Sequence, residues 1–117
     1  MAKLTTQIID SSRGKPAAGV ALELYRLHED RRELLIRGLT GKDGRNHSAL
    51  LSESGMQAGQ YELDFHVGDY FATLGVSLSE PRFLDVISLR IGIADANSDL
   101  HVPLLVSPYG YSMVRGG

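Results

Sequence analysis

Arg45 and His47 are the first residues whose types and spacing could do chemistry. They stand two positions apart in GKDGRNHSALL, a spacing that puts both side chains on one face of a strand. A guanidinium beside an imidazole suits hydrolysis, because the cation can polarise a carbonyl group while the imidazole takes a proton from water. The same residues also fit a solvated strand face just after a turn, and on the pair alone that second interpretation is favoured.

His101 is the third candidate. It lies in the apolar segment LHVPLLVS, where a half-buried imidazole needs a hydrogen-bond partner. Pro103, two residues further on, has no N–H and favours an edge or interface position for that strand. A hydrogen-bonded structural histidine is the alternative here. The histidines show neither an i, i+4 pair nor carboxylates at ligand spacing, so no metal site is predicted.

The elements that must position these residues follow a period-two pattern, with short apolar runs and frequent turn residues. The pattern predicts eight strands, at residues 4–10, 20–28, 33–40, 45–51, 61–67, 82–95, 100–107 and 108–115. A short helix is expected after the fifth strand, from Asp69 through Ala72, with Gly75 as its stop. The fold class predicted is therefore all-β: an eight-stranded, two-sheet sandwich forming a single domain over residues 1–117.

Composition excludes several classes of function. The chain has 117 residues, a formal net charge of −2 and no run of Lys and Arg, which argues against a nucleic-acid partner. It has no cysteine, so disulfides and thiolate chemistry are excluded. The first residues, MAKLTTQIID, lack the pattern of a secretion signal, and no window approaches the ~20 apolar residues of a membrane span. The cytoplasm is the expected location.

Three longer strings carry a resemblance to a known family: DSSRGKPAA, FHVGDYF and HVPLLVSP. Together with their order along the chain, they resemble the transthyretin-like family and, within it, the 5-hydroxyisourate hydrolases. The resemblance implies the eight-stranded, prealbumin-like sandwich with its short helix. It also implies a homotetramer of two dimers, with sites at the dimer–dimer interface, and hydrolysis of the 5-hydroxyisourate ring in urate breakdown. No organic cofactor or metal is implied.

The residue roles implied by this resemblance are carried by four matching positions. Arg45 and His101 match the arginine and the seventh-strand histidine of the hydrolases, while Arg115 and Gly116 match the middle of their C-terminal Tyr-Arg-Gly-Ser motif. Arg115 is accordingly expected to bind substrate.

Four positions depart from the family pattern. They are Gln7 in place of the first-strand histidine, His47 where the hydrolases usually have Asp, and Val114 and Gly117 in place of the motif's Tyr and Ser. Gln7, Val114 and Gly117 are expected to line the substrate site together with Arg115.

These departures change the expected chemistry. Gln7 cannot take a proton, so the loss of a sole general base there would cost roughly 10²–10⁴ in rate. We therefore expect His101 to activate water and Arg45 to polarise the ring carbonyl, with His47 supplying the lost imidazole. Val114 and Gly117 remove two hydroxyls from the site, which favours an N-methylated analogue of 5-hydroxyisourate, because unmatched buried polar groups are costly.

A non-catalytic function is the alternative. Transthyretin has this fold without the catalytic residues and binds a hydrophobic ligand, so the chain could be a small-molecule binding protein or an inactive paralogue. The retained Arg45 and His101 favour hydrolysis, since an apolar ligand gains little from a desolvated cation beside an imidazole.

Overall fold

Strands are the main regular element of the structure. A computed structural model describes residues 2–116, and within them nine strands, one α-helix and one 3₁₀ helix (Glu53–Gly55) are formed. The strands are β1 (Lys3–Asp10), β2 (Lys15–Pro16), β3 (Ala21–Leu27), β4 (Arg32–Leu39), β5 (Leu51–Ser52), β6 (Gly59–His66), β7 (Val86–Ile93), β8 (Leu100–Ser107) and β9 (Gly110–Met113). The helix α1 (Val67–Thr73) follows β6, which corresponds to the predicted fifth strand. The predicted all-β sandwich with one short helix is confirmed.

The strands form two sheets. One has the order β2-β1-β8-β9, with β5 also paired to β1, and the other has the order β4-β3-β6-β7. The pairing of β1 with β8 is parallel, with Leu4 opposite Leu100 and Asp10 opposite Val106. This parallel pair brings the N-terminal strand next to the strand that carries His101.

The core lies between the two sheets, and the strands β1, β3, β7 and β8 alternate buried positions with more exposed ones. In β1 the residues Leu4, Thr6, Ile8 and Asp10 are buried, while those between them are partly exposed. Large side chains from the opposite sheet, among them Leu22, Leu24, Leu63 and Phe65, are fully buried against them. Each such side chain contributes about 1.5–3 kcal/mol of hydrophobic free energy on burial.

A buried carboxylate fixes the end of β1. Asp10 is fully buried and its Oδ2 accepts a 2.8 Å hydrogen bond from the Tyr70 hydroxyl on α1. Its Oδ1 accepts from the Ser12 backbone N–H at 3.0 Å and from the Ser12 hydroxyl at 2.6 Å. Asp10 therefore holds the turn after β1 and the helix in one place.

The predicted fourth strand, residues 45–51, is wrong as a continuous strand. Only isolated bridges, Gln7 with Arg45 and Thr40 with Asn46, and the two-residue β5 are formed there. The Asp43 carboxylate accepts from the Arg45 N–H, and the Asn46 side chain donates to the Ser48 carbonyl. Such local side-chain bonds compete with a regular ladder, which explains the difference.

Two other predicted strands are shorter than expected. The predicted strand 82–95 begins only at Val86, since Arg82 instead turns back to donate to the Asp69 carboxylate on α1 at 2.7 Å. The predicted strand 108–115 is regular only over Gly110–Met113. Across residues 2–116, no helix combines the length and the apolar character needed to cross a bilayer.

Candidate functional site

His101 lies on the outward face of the β1–β8 pair. Along β8 the buried positions are Leu100, Val102, Leu104 and Val106, so His101 and Pro103 point away from the core. We call this outward surface the site face; it carries Thr5, Gln7, His101, Pro103 and Leu105. The parallel register puts Thr5 directly opposite His101, and the Thr5 hydroxyl lies 2.8 Å from His101 Nδ1.

The His101 imidazole has a lowered pKa. Partial burial is the main cause, because it disfavours the charged ring, and the positive charge of Arg45 acts in the same direction. Thr5, on the neighbouring strand, acts in the opposite direction. His101 is therefore neutral at neutral pH, which is the form that can accept a proton from water.

Arg45 is brought to this face by a glycine turn. Gly44 has φ +77°, and a Cβ there would lie 2.3 Å from the Ile8 carbonyl oxygen, so the position requires glycine. The Ile8 N–H donates to the Gly44 carbonyl at 2.8 Å, which docks the turn onto β1. Arg45 follows immediately and bridges to Gln7.

Gln7 holds the turn that carries Arg45. Its Nε2 donates to the Asp43 carbonyl at 2.8 Å, and its Oε1 accepts a long bond from an Arg45 terminal nitrogen at 3.5 Å. Both ends of the amide are thus directed at residues 43–45. Gln7 can therefore orient the Arg45 guanidinium. It cannot act as a base, because an amide does not take a proton at neutral pH.

His47 lies near Arg45 although the two are not on a regular strand. A pocket of about 120 Å³ is lined by Thr5, Thr6, Arg45, Asn46, His47, Ser48 and Ala49. His47 is exposed, as is Arg45. The structure therefore brings Arg45 and His47 to one pocket that is also lined by Thr5, the partner of His101.

The C-terminal segment borders His101 through Gly116. The His101 N–H donates to the Gly116 carbonyl at 3.1 Å, and the Gly116 N–H donates to the His101 carbonyl at 2.8 Å. A Cβ at Gly116 would lie 3.5 Å from His101 Cδ2, so the chain passes beside the imidazole. Ser112 and Gly116 pair with the outward residues Leu105 and His101, which places Val114, midway between them, on the site face.

Arg115 points elsewhere. It lines a separate pocket of about 210 Å³ together with Gly92, Ile93, Ala94, Asp95, Ser98, Asp99 and Leu100. The alternation that puts Val114 and Gly116 on the site face accounts for this placement. Arg115 is therefore not brought together with Arg45 and His101 in this chain. The predicted site residue Gly117 lies outside the described residues.

Two further residues of the site were not predicted from the sequence. They are Thr5, which contacts His101, and Asp43, whose carbonyl receives the Gln7 amide. Strand alternation predicts that Thr5 points outward, but which residue it contacts depends on the β1–β8 register. In residues 2–116, no group of three or more His, Asp or Glu side chains is arranged to hold a metal ion.

Comparison with protein families and curated proteins gives consistent matches. The model of the HIUase/Transthyretin family matches residues 4–116. The chain is similar to 5-hydroxyisourate hydrolase 2 of Rhizobium meliloti (strain 1021), with 51% identity over 114 residues, which is 97% of this chain and 95% of the relative.

Three solved structures are also similar. The Klebsiella pneumoniae 5-hydroxyisourate hydrolase has a TM-score of 0.81 and 31% identity, with full coverage of both chains. Sea bream transthyretin in complex with thyroxine has a TM-score of 0.86 and 25% identity, with 98% of this chain and 95% of that chain covered. An (S)-allantoin synthase has a TM-score of 0.94 and 38% identity; 99% of this chain corresponds to 44% of the synthase.

Proposed function

The chain belongs to the HIUase/Transthyretin family, and from this premise we propose that it is a hydrolase that opens the ring of 5-hydroxyisourate or of an N-methylated analogue, in urate or methylxanthine breakdown. The observation that carries the proposal is the placement of the half-buried His101 and the Arg45 guanidinium around Thr5. A base and a carbonyl-polarising cation on one face are the two groups that hydrolysis of a cyclic amide needs.

The reaction follows from these two groups. His101 Nε2 takes a proton from water as the water oxygen adds to the ring carbonyl carbon, and Arg45 donates hydrogen bonds to the oxyanion that forms. The C–N bond of the ring then breaks, and the proton held by His101 passes to the departing nitrogen. Positioned acid–base catalysis contributes roughly 10²–10⁴ in rate, and one oxyanion donor about 10²–10³.

Gln7 and His47 divide the role of the missing first-strand histidine. Gln7 binds at the edge of the site and fixes Arg45 through the Asp43–Arg45 turn. His47 shares the pocket of Arg45 and Thr5 and supplies a second imidazole there. No metal or organic cofactor is required for water attack on a carbonyl polarised in this way.

The substrate site is completed by the C-terminal segment. Val114 presents an apolar side chain on the site face, and Gly116 passes beside the His101 ring. An apolar wall accommodates a methyl group better than a ring N–H, which would be left without a partner. This wall favours the N-methylated analogue over the plain compound. Arg115, which lines the pocket with Asp95 and Asp99, contacts the substrate in this proposal when the chain end rearranges on binding. The contact of Gly117 with substrate stays a prediction.

We further propose that the protein is a homotetramer of two dimers with its sites at the dimer–dimer interface, in the cytoplasm. Val114 and Leu105 on the site face are 63% and 42% exposed, and Tyr109 and Tyr111 are exposed on the neighbouring edge. Apolar residues grouped in this way mark a surface that another subunit covers.

The function is tested by following the ultraviolet absorbance of freshly generated 5-hydroxyisourate, plain and N-methylated, with and without the protein. We expect faster decay with the protein, with the greater acceleration for the methylated compound. A clear preference for the plain compound would contradict the argument from Val114. No acceleration of either would favour the alternative, a binding protein of the kind represented by transthyretin.

A further inference from the structure

We propose that Thr5 is a positioning residue that fixes the tautomer of His101, so that Nδ1 carries the proton and Nε2 is the base. The inference rests on the proposed function, since it specifies which nitrogen of the site histidine acts on water. The observation that carries it is the contact between the Thr5 hydroxyl and His101 Nδ1 at 2.8 Å.

This contact is built into the sheet. Thr5 and His101 are direct partners in the parallel β1–β8 register, and both point to the site face. Threonine is branched at Cβ and stiff at χ1, so its hydroxyl is held at one place on the strand. The Gly116 backbone, which is hydrogen-bonded to the His101 backbone, passes near the Cδ2 edge of the ring. The Thr5 hydroxyl is therefore the side-chain contact that orients the ring.

The tautomer decides whether His101 can act. A neutral imidazole has one N–H donor and one acceptor nitrogen, and the partner of one nitrogen determines the state of the other. If Nδ1 accepted from the hydroxyl, Nε2 would carry the proton and could not accept one from water. If Nδ1–H donates to Thr5 Oγ1, the Nε2 lone pair is available. Within residues 2–116, Nε2 has no hydrogen-bond partner.

A neutral hydroxyl fits this role better than a carboxylate would. A carboxylate beside Nδ1 would favour the imidazolium and raise the pKa of His101. The actual surroundings lower that pKa, through burial and through the charge of Arg45. Thr5 orients the ring without adding a negative charge. The ring is thereby oriented and kept neutral at the pH where it must accept a proton.

The tautomer is measured directly by ¹⁵N NMR of the His101 ring in the full-length protein, with the signals assigned through His101→Asn. We expect an Nδ1–H ring in the unsubstituted protein and in Thr5→Ser, which keeps the hydroxyl. Thr5→Val has nearly the same shape without the hydroxyl, and there we expect a mixture or the Nε2–H form. An Nε2–H ring in the unsubstituted protein, or the same tautomer in Thr5→Val, would overturn the proposal.

Hydrolysis rates provide a second measurement. We expect kcat/KM to fall about 3- to 10-fold in Thr5→Val, the factor that corresponds to one neutral hydrogen bond, and to recover in Thr5→Ser. Thr73→Val is the matched control, because it removes a hydroxyl that donates to the Asp69 carbonyl on α1, away from the site face. Equal losses in Thr5→Val and Thr5→Ser would contradict the proposal. A protein without hydrolytic activity would contradict the proposed function instead, while the NMR result still decides the role of Thr5.

Discussion

At the scale of single residues, the site combines two groups that influence one another. Arg45 helps to lower the pKa of His101, and in the proposed reaction it also supplies the charge for the carbonyl oxygen. A histidine beside an arginine is kept neutral, and a neutral histidine is the base that water attack requires. The same cation therefore serves both halves of the proposed reaction.

The pH dependence of hydrolysis tests this influence. The pKa of His101 is below its ordinary value. We therefore expect kcat/KM to be at its maximum at neutral pH and to fall only when the pH drops through this lowered pKa. Arg45→Gln removes the positive charge, so the acidic limb of the kcat/KM profile should move to higher pH. Arg37→Gln, on strand β4 of the other sheet, should leave the limb in place. An unmoved limb in Arg45→Gln would show that Arg45 does not act on His101.

Substitution distinguishes the contributions of His101 and His47 to the rate of hydrolysis. His101→Ala should lower kcat/KM by roughly 10²–10⁴, the contribution of a positioned base. His47→Ala should also lower it if His47 replaces the first-strand histidine. Stopped-flow absorbance of the fresh substrate measures both variants, and His28→Ala is the control because that ring pairs with Glu33. An unchanged rate in His47→Ala would rule out the replacement.

At the scale of elements, the turn between β4 and β5 determines where Arg45 lies. This turn is docked on β1 through Gly44, which has a positive φ and no room for a Cβ against the Ile8 carbonyl. Gln7 adds a side-chain bond to the same turn. The guanidinium is thus positioned by an irregular segment fixed to a regular strand.

Two glycine variants isolate the docking of this turn. Gly14→Ala introduces an alanine at φ +66° with no atom within 4 Å of its Cβ, so it should cost about 1–2 kcal/mol from backbone strain alone. Gly44→Ala adds a clash with Ile8 and should cost more, with a fall in kcat/KM as Arg45 moves. Urea unfolding and hydrolysis rates measure the two effects. Equal stability and equal activity in both variants would show that the docking has no role in the site.

At the scale of the whole molecule, the site face is open on one chain. His101, Val114 and Leu105 lie on the outward surface of the β1–β8–β9 region, and the pocket beside Arg45 is small and exposed. A second subunit over this face would exclude water, which strengthens the interaction of Arg45 with an oxyanion. Assembly and catalysis are therefore expected to depend on the same surface.

A charged substitution on the site face tests this dependence. We expect the unsubstituted protein to have the mass of four 12.7 kDa chains in light scattering, and Leu105→Glu to yield smaller species with reduced activity. Leu39→Glu is the control, because Leu39 is 60% exposed on β4 of the opposite sheet. A Leu105→Glu protein that remained tetrameric would place the interface elsewhere.

The sequence by itself determined the sandwich and the helix after the 61–67 strand, and it supplied Arg45 and His101 as candidate reacting groups. Period-two alternation reports which residues are buried, and the side-chain chemistry of Arg45 and His101 is independent of the fold. The expected strand at residues 45–51 failed because Asp43 and Asn46 bond the nearby backbone, a competition that alternation does not reveal.

Only the tertiary structure decided which side chains meet. The contact between Thr5 and His101 joins residues 96 positions apart and depends on the β1–β8 register. The same holds for Arg115, which matches a motif in sequence but lines a pocket with Asp95 and Asp99. A shift of one residue in strand pairing moves every side chain of the strand to the other face of the sheet. The face on which a terminal residue lies is therefore determined by its pairing with the neighbouring strand. In this chain that partner is the His101 backbone, which holds Gly116 beside the imidazole and turns Arg115 away from it.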